Sequence, residues 1–172
     1  MIEYASIVDH LPDFAAIADM TGRMIYLNEA GYVLCGLDKK TDIGSMTVMD
    51  FMSPKPCLSE RMDLIRDKIL TDGQWLGTGK LKNFKTGELI PVQVKHFTVK
   101  DPKTGKPLYL GALLRDITKD IFQEQKILSS KKQYQTLVED MPVLICRFLS
   151  NGTLTFVNRH YCEYFQKKEK EL

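Results

Sequence analysis

The sequence predicts an α+β fold built on an antiparallel sheet. Three observations lead there. Two short apolar runs flank a Thr-Gly turn near the start, three longer alternating runs joined by Lys-Thr-Gly turns follow later, and short helical patterns lie between the two groups. Strands and helices that cluster in separate stretches favour an antiparallel sheet with helices on one side over a parallel, doubly wound one.

Each element follows from local chemistry. Residues 4–11 read as a short helix, with Ile7, Val8 and Leu11 on one side and Pro12 ending it. FAAIAD reads as a first strand, Thr21-Gly22 as a turn and RMIYLN as the second strand of a hairpin. NEAGYVLCGL is a short helix that Gly36 terminates. Residues 39–54 read as irregular, with one helical turn at VMDFM. Ser53-Pro54 resembles a helix start, and ERMDLIRDKIL places Met62, Ile65 and Ile69 at helical spacing before Asp72-Gly73 breaks it. The strands QWLGTGKLKNF, LIPVQVKHFTV and PLYLGALLRDI follow, with hairpin-type connections at Lys85-Thr86-Gly87 and at residues 101–105. From Thr118 to Tyr134 the chain is charged, lacks Gly and Pro, and reads as a helix.

The totals narrow the function. A chain of 172 residues suffices for one domain plus part of another. Twenty-four Lys and Arg against 22 Asp and Glu leave a net charge of +2, too small to indicate a nucleic-acid partner. No apolar run approaches the roughly 18 residues of a membrane span, and MIEYASIVDHLP lacks the pattern of a signal peptide. The expectation is a cytoplasmic segment without membrane contact. Cys35, Cys57, Cys146 and Cys162 form no C-x-x-C pair and have no His at zinc-site spacing, so no metal site is expected. P-loop, nucleophile-elbow, H-E-x-x-H and dinucleotide-turn motifs are all missing, so no catalytic residue is assigned.

The chain also repeats itself. Residues 4–40 lie over residues 134–170 without a gap, at an offset of 130 residues. Tyr4 meets Tyr134, Val8 meets Val138, Pro12 meets Pro142, Gly22 meets Gly152 and Asn28 meets Asn158. A repeat one domain long predicts a longer parent with at least two similar domains in tandem, the second copy here holding only two strands and a helix. Such a hairpin cannot bury enough apolar surface to stand alone, so it is expected to be disordered, rearranged or held by another chain.

These residues resemble the PAS sensor-domain family over 4–120, and again over 134–172. The resemblance is carried by the LPD start, GRMIYLN closing on Asn28, GQWLG, TGELIPVQV, and GALLRDIT with the junction residues Asp116, Ile117 and Thr118. It implies a five-stranded antiparallel sheet of order 2-1-5-4-3 whose helices enclose a small cavity. It also implies a sensory or dimerising role, with output through a terminal helix to a kinase or cyclase domain. The organisation expected is a PAS domain over 1–117, a connecting helix over 118–133 and the start of a second PAS domain over 134–172.

The candidate cavity residues are Asn28, Met46, Phe51, Met52, Ile65, Ile69, Val94 and His96. Along the fourth strand, Val92, Val94, His96 and Thr98 share one face by period two, and that face reads as inward. His96 could meet an acidic ligand or ligate haem; a satisfied core or rim histidine is the preferred alternative. Met46, Met49, Met52 and Met62, with Phe51, would roof the cavity as adaptable side chains, or serve as plain core. Trp75 closes the cavity or packs the sheet edge, with packing preferred. Haem is disfavoured, because the family's haem-binding members carry a His on the long helix and ERMDLIRDKIL has none. Covalent flavin is disfavoured, because the frame around Cys57 does not match the photosensing relatives. The ligand itself stays unidentified. Asn28 would tie the strand end to the next helix, or stand on the surface and simply cap that helix, and Asp116 would cap the outgoing helix. In that helix Ile121 and Leu128 stand seven apart, as do Ile127, Tyr134 and Met141, which favours a homodimer through terminal helices over a helix lying on its own domain.

Overall fold

The computed structural model describes residues 7–52 and 58–168, except for the side chains of residues 58–63. The hairpin β1 (Phe14–Ala18) and β2 (Met24–Leu27) leads into α1 (Glu29–Cys35) and a turn of 3-10 helix at Ile43–Ser45. Helix α2 (Leu58–Asp72) precedes β3 (Gln74–Lys82), β4 (Leu89–Lys100) and β5 (Pro107–Asp116). Helix α3 (Thr118–Asp140) is followed by β6 (Cys146–Phe148), β7 (Leu154–Val157) and α4 (Arg159–Phe165). The chain divides into two compact units, Met1–Lys119 and Asp120–Leu172.

In the first unit the sheet order is β2-β1-β5-β4-β3, with every neighbouring pair antiparallel. This is the architecture that the resemblance implies. Alternation explains the burial: Val92, Val94, Leu114, Phe14 and Leu81 point to the helix-covered face and are buried, while Gln93, Lys95 and Arg115 point away and are exposed. Gly36 ends α1 in the left-handed region, at φ 64°, where a side chain would be strained and would also strike Asn83.

Several local expectations are corrected. VMDFM forms a hydrogen-bonded turn rather than a turn of helix, because the Asp50 carboxylate accepts bonds from the Thr47 backbone N–H and hydroxyl. The 3-10 turn lies earlier, where Asp42 accepts from the Gly44 N–H. The outgoing helix does not stop near Tyr134 but runs to Asp140, since nothing before Pro142 breaks it. A helical turn at residues 7–9 stands where the first helix was expected. Residues 4–6, Ser53-Pro54 and Cys57 lie outside the described residues.

The second unit repeats the first hairpin's register. β1 pairs Ala16 with Leu27, Ile17 with Tyr26 and Ala18 with Met24, with a bulge after Ile17. β6 pairs Cys146 with Val157, Arg147 with Phe156 and Phe148 with Leu154, with the same bulge. Each of these residues stands 130 positions from its counterpart. The second hairpin is therefore not rearranged.

Candidate functional site

A cavity of about 250 Å³ lies between the inner face of the sheet and α2. It exists because that face carries small residues where bulk would be needed to fill it. Ala16, Ala18, Gly79 and Ala112 line its floor, whereas an ordinary interior is packed without such voids. Phe51, Met52 and Met49 close one side, and Ile65 and Ile69 project from α2 on the other. Met20, Thr21 and Gly22, from the β1–β2 turn, meet Arg66 of α2, whose guanidinium donates to the Met20 carbonyl at 3.3 Å.

Six of the candidate residues line this cavity: Phe51, Met52, Ile65, Ile69, Val94 and His96. Two do not. Met46 packs against the core, and its carbonyl accepts from the Met24 N–H. Asn28 is fully buried at the end of β2 and forms a latch. Its Oδ1 accepts from the Ala15 and Gly31 N–H groups, both at 2.9 Å, and its Nδ2 donates to the Val8 and Asp13 carbonyls at 3.1 and 2.9 Å. Asn28 thus ties the strand end and also caps α1, but it does so fully buried, so the surface cap is corrected. The side chain of Met62 lies outside the described residues. The turn residues and Arg66 carry no sequence signal that would bring them together. Gly79 and the alanines did leave one, as small residues on a face expected to be core.

His96 is half-buried at the cavity wall. Its ring stacks on Trp75 of β3, with centroids 5.9 Å apart and planes 25° from parallel. The Trp75 ring lies against Gly77, where an added Cβ would sit 2.3 Å from the indole. Burial lowers the His96 pKa from its ordinary 6.5, and a backbone hydrogen bond to Gly111 opposes the shift in part. The ring is therefore neutral at pH 7. Cys35, the buried last residue of α1, has its pKa raised by burial to about 12 and stays a thiol. Among the described residues no cluster of three or more His, Cys, Asp or Glu could hold a metal ion.

At the junction, Asp116 Oδ1 accepts from the Thr118 N–H at 2.8 Å, and the Ile117 N–H donates to the Pro91 carbonyl at 3.1 Å. β5 thus passes into α3 with the first amide of α3 satisfied and the linking residue Ile117 pinned to β4.

A five-stranded antiparallel sheet of this order, covered by helices on one face over a small cavity and continued by a helix, defines a single-sheet α+β domain. The PAS fold model matches residues 2–117 and a PAS domain model matches residues 132–172, so the chain belongs to the PAS family. A curated relative, the two-component sensor PprA of Pseudomonas aeruginosa, is 39% identical over 59 residues, which cover 34% of this chain and 6% of that protein. The PAS domain of a Colwellia psychrerythraea protein superposes with a TM-score of 0.62 at 19% identity, covering 69% of this chain and 97% of that one. A PAS domain from a two-component sensor histidine kinase gives a TM-score of 0.54 at 11% identity, covering 67% and 94%. Among the described residues no helix is long and apolar enough to cross a membrane.

Proposed function

We propose that the chain is a non-catalytic sensory module of a larger cytoplasmic signalling protein, of the sensor histidine kinase or diguanylate cyclase type. It reads a small ligand in the apolar cavity and passes the result through α3 to an output domain. The cavity carries this reading. About 250 Å³ suits a small organic molecule and lies below the ~300–1,000 Å³ of drug-sized sites. Neither haem nor covalent flavin is part of the proposal. The likeness to a two-component sensor over 59 residues supports the signalling context.

The test is mass spectrometry of molecules retained by the freshly purified chain, with a thermal-shift screen of small apolar compounds. A retained molecule, or compounds that raise the melting temperature, is the expected result. Protein that carries nothing and responds to nothing would leave a second reading, a ligand-free dimerisation or spacer module. One observation favours that second reading: α3 has no buried residue and exposes Phe122, Ile127, Leu128, Tyr134 and Leu137. Sedimentation of the chain distinguishes a dimer from a monomer.

A further inference from the structure

We infer that the outer face of the five-stranded sheet, opposite the cavity, is a docking surface for an acidic amphipathic helix of another polypeptide. This surface is separate from the cavity and does not depend on a ligand there.

Period two fixes what this face carries. On β3, β4 and β5 the positions alternating with the inward ones include Lys80, Lys82, Lys95 and Arg115. No Asp or Glu occupies an outward position of these strands or of β1. The whole chain carries only +2, so this is a local concentration of positive charge. Lysines on an edge strand discourage unwanted strand pairing, and that suffices for Lys80 and Lys82 of β3. It does not account for Lys95 and Arg115, which stand on the interior strands β4 and β5. Lys95 faces Leu113 and Gln93 faces Arg115, so the two cations are diagonal neighbours, with backbones about 7–8 Å apart. Both are exposed, and among the described residues neither forms a salt bridge. Like charges this close repel, and a partner's carboxylates would relieve the repulsion.

Apolar residues surround the pair. Leu76 and Leu113 are the cross-strand partners of Lys95, and Phe97 stands two residues along β4. Leu76 is 61% exposed. The Phe97 ring lies against its cross-strand partner Gly111, where an added Cβ would sit 2.4 Å away, so no side chain rises from β5 at that point. Leu76, Phe97 and Leu113 lie on three neighbouring strands, a span of roughly 10 Å, which is the width of a helix. A single-stranded nucleic acid would need aromatic rings for its bases to stack on, and two of these three anchors are aliphatic. The same face of a second copy has no carboxylate to offer. A helix with an apolar face flanked by glutamates supplies both the carboxylates and the apolar contact.

The test titrates the full chain into two fluorescent helical peptides and follows anisotropy. Both peptides carry the same leucine face; one flanks it with Glu and the other with Lys. The Glu peptide should bind about fivefold or more tightly, since a single exposed ion pair is worth up to about fivefold, and its lead should shrink as salt rises. The double variant Lys95→Glu/Arg115→Glu should reverse the preference, with circular dichroism checking that the fold is kept. The milder pair Lys95→Gln/Arg115→Gln should level the two peptides, and Leu76→Ser should weaken both. Equal binding of the two peptides to the unmodified chain, or binding of neither, overturns the proposal. So does full preference for the Glu peptide in the Gln pair, displacement of that peptide by an oligo(U) strand, or self-association of the chain that blocks it.

Discussion

The two hairpins of this chain are one device in two settings. Both have the same register, the same bulge and the same latch. Asn158 accepts from the Ile145 and Tyr161 N–H groups at 3.0 and 3.1 Å and donates to Val143 at 2.9 Å, as Asn28 does with Ala15, Gly31 and Asp13. Both asparagines are fully buried. What differs is the cover. Phe14 is 4% exposed and its counterpart Leu144 is 44%; Ala18 is 3% exposed and Phe148 is 65%. β1 is hydrogen-bonded to β5, whereas β6 pairs with β7 alone. Register and capping are thus encoded locally, within the hairpin and its flanks. Burial is supplied by strands some hundred residues away in sequence, and it makes the hairpin stable.

The largest expected effect is in hydrogen exchange. Amides of residues 92–97 should exchange only through global opening, which for a domain of this size costs ~5–15 kcal/mol, and those of residues 148–158 through local opening near zero. Equal protection of the two segments in dilute monomer would mean that the second hairpin finds its cover elsewhere. The next effect is mutational. Asn28→Ala would strand the Ala15 and Gly31 N–H groups and remove a donor from the Asp13 and Val8 carbonyls, of which Val8 keeps its bond from the Leu11 N–H. It should destabilise the first unit by about 3 kcal/mol. Asn158→Ala should leave the denaturant midpoint of that unit unmoved. Comparable losses from both substitutions would join the two hairpins into one cooperative unit.

A third test uses pH, because His96 belongs to the covered region and has no counterpart within the repeat. The unfolded chain binds a proton at about the ordinary 6.5, and the folded chain only below it. The unfolded state therefore holds more protons as pH falls through this window, and stability falls with it. The melting temperature of the first unit should drop as pH is lowered below 6.5, and His96→Gln should flatten the curve there. The lowered carboxylates Asp19 and Asp101 act in a separate window, below their ordinary 3.8. The smallest effect is Asp116→Ala, which removes one cap and should cost about 0.5–2 kcal/mol. It should leave the first unit folded while weakening the response of the parent's output domain. Outright unfolding, or an undiminished response, would show that Asp116 is not the junction.

Legibility divided along the same line between local and distant. Strand alternation, the glycine turns and the repeat were readable because each is set by neighbours in sequence. His96 was readable as a wall residue by period two alone. Met46 was misplaced because a methionine-rich stretch says nothing about which members face inward, and its backbone bond to Met24 decides that here. The meeting of Arg66 with the β1–β2 turn was invisible, since it depends on where α2 crosses the sheet. The helical turn expected at VMDFM failed because Asp50 bonded locally to Thr47, a competition that apolar spacing does not reveal.

The Asn28 latch also bears on the order in which the chain is made. Ala15 and its β5 partner Leu113 are separated by 98 residues. At the usual ~5–20 residues per second of synthesis, β1 and β2 wait roughly 5–20 s for that partner to leave the ribosome. A bare hairpin is free to slip by one residue during the wait, and a slip turns every side chain to the wrong face. The four bonds of Asn28 join residues no farther than Val8 and Gly31. They can therefore close as soon as this short stretch has emerged, so that β5 arrives at an edge whose register is already set.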